Sequence, residues 1–200
     1  PSSPYEANYL SDICEEVSKI EENIRPQIIF RKCPVDKTSR FDKVVEKYKK
    51  IIFCIQPDWR IEKEQEDSFA SIYPTLYDNV LLVNTIAHSD LVLNLGSTMA
   101  HDAAVLDKPC LYLNYNPVNK SIFKVEDIFK FEHFKSMSDI NPVGWVNSKD
   151  EVKKKIIYAI NNPDKVGVDR KKWLKKIVLH PLENNSNILL KTILQELTLK

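Results

Sequence analysis

The run Asp90-Leu-Val-Leu-Asn-Leu-Gly-Ser-Thr-Met-Ala-His-Asp-Ala-Ala-Val-Leu-Asp-Lys-Pro-Cys-Leu-Tyr-Leu-Asn114 constrains this chain most, because it reads as strand, tight turn, helix and strand in unbroken succession. Leu91–Leu95 is a short apolar run that suits a strand buried on both faces of a parallel sheet. Gly96 supplies backbone freedom where the chain must turn sharply. Ser97 and Thr98 are favourable N-cap residues, and the residues after them, His101 apart, are good helix formers, so a helix is expected from about Thr98. Its first turn presents unpaired N–H groups and the positive end of the macrodipole, which favour an anion there by roughly 0.3–2 kcal/mol before any hydroxyl contact. Lys108-Pro109 is expected to close the helix, since proline disfavours helical backbone in the residue before it, and Cys110–Leu113 returns as the next strand. The unit is βαβ, with a turn suited to half of a phosphate site. The same arrangement also arises wherever a helix merely needs a cap.

The rest of the chain extends the pattern. Apolar positions at Tyr9, Leu10, Ile13, Val17 and Ile20 form a helical stripe, Gln27–Lys32 reads as a strand ended by Cys33-Pro34, Arg40–Lys50 as a helix and Ile51–Ile55 as a strand. Residues Gln56–Tyr73 resist assignment and make a long loop for a compact domain, a place where function often resides. Helix resumes over Thr75–His88. Beyond the βαβ unit come a short helix near Val125–Phe131, a strand at Val143–Val146, a helix capped by Ser148 with Glu151 in the capping-box position, and closing helices between about residues 168 and 198. Strand and helix alternating in this order imply one α/β domain over residues 1–200, a Rossmann-like parallel sheet with helices on both faces. Ligands of such sheets bind beyond the carboxyl ends of the strands.

Composition narrows the functions. The 200 residues carry 29 basic against 28 acidic side chains, a formal net charge of +1, which offers no global attraction to nucleic acid. No apolar run is long enough for a membrane span and no signal peptide opens the chain, so a cytoplasmic protein is expected. Cys14, Cys33, Cys54 and Cys110 lack paired spacing, which favours reduced thiols over a metal site. The chain opens on Pro1 and has no glycine before Gly96, which suggests a piece of something longer.

Two segments carry a resemblance. Ile28-Ile-Phe-Arg-Lys-Cys-Pro34 resembles an Arg-x-His-Pro segment, and His88 through Pro109 resembles an Asp-led strand, Gly-Ser-Thr-Met turn and Lys-Pro-ended helix. Both are features of the C-terminal, donor-binding half of GT-B fold glycosyltransferases that build bacterial surface polysaccharides. The segments are similar also to those of glycerophosphotransferases of teichoic acid synthesis and of bacterial sialyltransferases. Phe131-Glu-His-Phe134 and the stretch from Val146 to Asn162-Pro163 agree with it.

The resemblance implies a metal-independent transfer of sugar from a nucleotide-sugar to a glycan or lipid-linked acceptor, with no cofactor. Ser97 and Thr98, on the turn at Gly96, would hold the donor phosphate. Arg31 would be a second phosphate contact, and Asp102 would accept from a ribose hydroxyl. Cys33, which stands where relatives carry histidine, and Trp59, Tyr73 and His133 are further donor-site candidates. Each has a plainer role as well: an ion pair for Arg31, a helix-surface charge for Asp102, packing for His133, and lid or core packing for Trp59 and Tyr73. An N-terminal acceptor domain is expected to lie outside this chain or on a partner, and the lysine pairs of the late helices read first as a solvated helix face, with a peripheral contact with anionic lipid at the inner membrane face as the alternative. A polyol-phosphate transferase, a nucleotide-sugar 2-epimerase and a non-catalytic interaction domain that keeps the fold stay open as alternatives.

Overall fold

The computed structural model describes residues 5–34, 36–61, 72–118, 124–178 and 184–198. In chain order the elements are α1 (Glu6–Ser18), β1 (Ile28–Arg31), α2 (Asp42–Lys47), β2 (Ile52–Ile55), β3 (Trp59–Ile61), β4 (Ile72–Pro74), α3 (Leu76–Ala87), β5 (Val92–Asn94), α4 (Met99–Val105), β6 (Cys110–Leu113), α5 (Val125–Ile128), α6 (Glu132–Lys135), β7 (Gly144–Val146), α7 (Val152–Asn161), α8 (Arg170–Ile177) and α9 (Asn185–Thr198). The class is α/β with small parallel sheets.

Strand β6 is the hub, paired in parallel with β5 on one side and β7 on the other. All four of its residues are buried, which explains its unbroken apolar run. Successive side chains of a strand point to opposite faces, and here each face has its own core. Cys110 and Tyr112 pack with Ala100 and Ala103 of α4, Ile128 of α5, Phe134 of α6 and Trp173 of α8. Leu111 and Leu113 pack on the other side with Tyr9 and Val17 of α1 and Val152, Ile156 and Ala159 of α7. Helices therefore cover both faces of β6.

The sheet departs from the single one expected. Strands β1 and β2 form their own parallel pair, and hydrogen bonds among the described residues do not join them to β5–β6–β7. One face of that pair is closed by Leu10, Cys14 and Phe41 against Ile52. On the other face Ile29 and Phe53, directly opposite in register, are exposed. The unassigned stretch from Gln56 to Tyr73 is also more regular than expected, since β3 and β4 pair antiparallel with Arg60 opposite Tyr73; residues 62–71 of that stretch lie outside the described ones.

Helix α4 is shorter than the sequence suggests and ends at Val105, before Lys108-Pro109. Asp107 adopts φ +55°, the N–H of Lys108 reaches the carbonyl of Ala103 (2.8 Å), and the N–H of Asp107 reaches that of Ala104 (3.2 Å). This is a Schellman termination with aspartate where glycine is usual. The aspartate has a reason to be there: its carboxylate accepts from Arg170 Nε (2.8 Å) and pairs with Lys171 Nζ (2.7 Å), tying α4 to α8.

Candidate functional site

The carboxyl ends of β5, β6 and β7 share a feature: each strand ends in, or is followed at once by, an asparagine, at Asn94, Asn114 and Asn147. Asn94 shapes the turn. Its Oδ1 accepts from the Ser97 N–H at 2.8 Å, a side-chain imitation of a backbone turn. Gly96 sits at φ +58°, and a Cβ built on it would meet Ile128 Cγ2 at 2.5 Å and Phe129 Cε1 at 3.2 Å. Glycine is thus required twice over, by the left-handed backbone and by the wall of the segment that follows β6.

The two hydroxyls divide their work differently from the expectation. Thr98 occupies the N-cap position of α4 but has helical backbone angles and no side-chain capping bond. Ser97 supplies the cap instead, its Oγ accepting from the Met99 N–H at 3.2 Å, while its carbonyl accepts from Tyr112 Oη at 2.8 Å. Thr98 is the exposed one of the two hydroxyl residues, just before α4. Asp102 is likewise exposed on α4; surrounding protein mass nudges its carboxyl above the ordinary range, a shift that neighbouring His101 opposes. His101 is packed on Trp173, ring centroids 4.1 Å apart, and burial lowers its pKa, against the pull of Asp102.

Arg31 ends β1, in the separate β1–β2 sheet, and is engaged. Its Nη2 donates to both oxygens of Asp78, at 2.8 and 2.7 Å, while its Nε is buried without a hydrogen-bond partner. Asp78, in the first turn of α3 and 1% exposed, also accepts from the Asp58 N–H (2.8 Å) and Trp59 Nε1 (2.7 Å). Burial works to raise this carboxyl, but the donors of Asp58, Arg31 and Trp59 outweigh it and hold it below its ordinary value. Arg31 and Trp59 are therefore fastened to one buried carboxylate, and the hairpin of β3 and β4 is fastened with them. Tyr73 lies exposed on β4, and Cys33 is exposed after β1. His133 is exposed on α6, stacked on Phe131.

Beside the turn lies an open cleft of about 430 Å³ lined by Asn114, Glu126, Phe129, Trp145 and Asn147. Asn114 Nδ2 donates to Asn147 Oδ1 at 2.9 Å, bridging the ends of β6 and β7. Tyr112, fully buried beneath the lining, touches both regions: its hydroxyl donates to the Ser97 carbonyl, and its ring packs against Phe129 and Trp145 at 5.6 and 5.7 Å. The Gly96 turn and this cleft thus share Phe129, and among the described lining residues Asn114 falls just past a strand's carboxyl end, where the sequence points to ligand contacts, whereas Glu126, Phe129, Trp145 and Asn147 were not marked. Asp78 was missed because a lone aspartate inside a helical pattern gives no sign of what it will face. The cleft had one readable signal, the asparagine after each strand. The described residues contain no group of three or more histidine, cysteine, aspartate or glutamate side chains placed to hold a metal ion, and no helix among them is long and apolar enough to cross a membrane.

No protein-family model, curated protein or solved structure matches this chain.

Proposed function

We propose that this chain is the nucleotide-sugar-binding domain, with a Rossmann-like sheet, of a metal-independent GT-B glycosyltransferase acting in surface carbohydrate synthesis. The observation that carries the reading is the left-handed Gly96 turn opening onto α4, packed against Phe129, a residue that also lines the cleft at the ends of β6 and β7. Ligands of parallel α/β sheets bind at this edge. In this account the N–H groups that open α4 and the Thr98 hydroxyl meet the donor phosphate, and Ser97 holds the turn in shape.

Transfer without a metal leaves the departing phosphate's charge to these donors and to Arg31. Preorganised donors of this kind are worth roughly 3–4 kcal/mol each when they act in the transition state. Asp78 neutralises much of the charge Arg31 brings, so the isolated chain binds donor weakly. The acceptor and the base that deprotonates it come from a further domain or chain, which places catalysis beyond this domain alone. A lipid-linked acceptor would bring that assembly to the inner membrane face, with the cytoplasmic donor pool beside it.

A non-catalytic interaction domain is the second reading, favoured by the Arg31–Asp78 pair and by the exposed apolar faces of α3 (Leu76, Tyr77, Val80, Val83) and α9 (Leu189, Leu190, Ile193, Leu194, Leu197). A thermal-shift series separates the two. Wild type and the Thr98→Ala variant are heated with UDP, CDP, CMP and GDP and their sugar conjugates. Stabilisation by one nucleotide class, lessened in Thr98→Ala, supports the donor domain; no stabilisation by any of them sinks it in favour of the interaction domain.

A further inference from the structure

We infer that the cleft at the ends of β6 and β7 accepts the uncharged glycosyl part of the ligand, and that Glu126 makes it reject acidic sugars. The inference rests on the donor-binding reading for the identity of the whole ligand, but its grounds lie in the cleft.

The lining is suited to hydroxyl groups. Asn114 and Asn147, joined by the Nδ2-to-Oδ1 hydrogen bond, leave their other amide atoms, Asn114 Oδ1 as acceptor and Asn147 Nδ2 as donor, for a ligand, and Glu126 offers a carboxylate that accepts from hydroxyls. Phe129 and Trp145 supply apolar surface for the C–H faces of a sugar ring. These rings meet nearly at right angles, with an interplanar angle of 79°, and Tyr112 meets Trp145 at 75°. Such edge-to-face walls do not make a parallel-sided slot for a planar base. The space, about 430 Å³, opens broadly to solvent, which suits one hydroxylated ring resting on an aromatic wall rather than an enclosed ligand.

Position agrees with composition. Phe129 lines the cleft and also stands 3.2 Å from where a Cβ on Gly96 would be. Tyr112 supports both the Ser97 carbonyl and the cleft's two aromatic rings. Phe129 is thus a wall common to the turn and the cleft.

Charge sets the selectivity. Among the described lining residues Glu126 is the one acidic or basic side chain. It sits in the first turn of α5, a segment whose start is anchored by the Val125 N–H donating to Asn116 Oδ1 at 2.9 Å. A sugar carboxylate brought close to it meets like-charge repulsion with no described lining cation to offset it, which is expected to weaken binding about tenfold relative to the neutral analogue. Uronic and sialic acids are therefore disfavoured against neutral hexoses and N-acetylhexosamines.

The test uses the whole chain labelled with nitrogen-15 and follows the Trp145 indole and the Asn114 and Asn147 side-chain amides. The probes are methyl glucoside, methyl N-acetylglucosaminide and methyl glucuronide at millimolar concentration, each against wild type and Glu126→Gln. The expected result is that the neutral glycosides shift these resonances, the glucuronide does so about tenfold more weakly, and Glu126→Gln narrows that gap. Equal response to glucuronide in the wild type, a gap unchanged in Glu126→Gln, or silence with the neutral glycosides overturns the inference. A parallel titration with the nucleotides of the thermal-shift series keeps the two claims apart. Nucleotides that shift the turn while glycosides leave the cleft unmoved refute the glycosyl site alone. Glycosides that bind while every nucleotide fails refute the donor reading and leave the site standing.

Discussion

Replacing Gly96 by alanine should damage both the stability of the fold and the cleft beside the turn. The residue adopts φ +58°, and its new Cβ would lie 2.5 Å from Ile128 Cγ2 and 3.2 Å from Phe129 Cε1. Left-handed backbone at a residue with a Cβ costs about 1–2 kcal/mol. Forcing an extra methyl into a packed wall adds about 1–3 kcal/mol, for a total near 2–5 kcal/mol. In a domain of this size each kcal/mol lowers the midpoint by about 2–4 °C, so a fall of roughly 4–20 °C is expected. Urea denaturation followed by circular dichroism measures the free energy directly. The double variant Gly96→Ala/Ile128→Ala separates the two causes, because removing Cγ2 relieves the clash but not the backbone strain. It should be less destabilised than the sum of its parts by about 1–3 kcal/mol. A single-variant loss below about 1 kcal/mol, or strict additivity in the double variant, would refute the packing argument.

Asp78→Asn should cost about 3–5 kcal/mol, because it strips the charge partner from the nearly buried Arg31. The Asp78 carboxyl is held below its unfolded value, so its contribution is complete above the ordinary carboxylate range, near 3.9, and is lost as pH falls through the depressed folded value. The stability gap between wild type and Asp78→Asn should accordingly shrink on acidification, which unfolding curves at several pH values will check. Tyr112→Phe removes the hydrogen bond to the Ser97 carbonyl and is expected to lower stability by about 0.5–1.5 kcal/mol, with amide shifts centred on residues 96–99 in an NMR spectrum. Asp107→Asn keeps a residue tolerant of left-handed backbone but loses the carboxylate that meets Arg170 Nε. Because Arg170 is 7% exposed, a loss of about 1–3 kcal/mol is expected in denaturant unfolding.

Much of the fold was legible because its signals are local. The apolar run Leu91–Leu95, the glycine after it and the apolar Cys110–Leu113 mark β5, the turn and β6 without reference to anything distant. Proline at position 109 located the end of the helix only roughly, because the actual stop is made by Asp107 through a long-range pairing with Arg170 that spacing does not reveal. Ser148 and Glu151 looked like a capping box, yet Glu151 Oε2 accepts from the Asn147 N–H at 2.9 Å instead and Ser148 makes no side-chain cap. Gln56–Tyr73 concealed a hairpin, since Trp59–Ile61 and Ile72–Pro74 are short and widely separated and find each other only in three dimensions. The turn at Gly96 was visible from its residue types, whereas the fastening of Arg31 by Asp78 joins residues 47 positions apart. The cleft needed tertiary structure most: Glu126, Phe129 and Trp145 come from segments with no shared sequence pattern, and only the asparagines after the strands pointed to that edge.

The central claim is that the Gly96 turn and the adjoining cleft bind one ligand together. Titrating the nitrogen-15-labelled chain with a panel of nucleotide-sugars, while following the backbone amides of Ser97–Ala100 and the indole of Trp145, tests it most directly. The account expects both sets of resonances to move with a single dissociation constant for one class of nucleotide-sugar. Spectra unchanged by every member of the panel, or shifts confined to residues away from this strand edge, would contradict it.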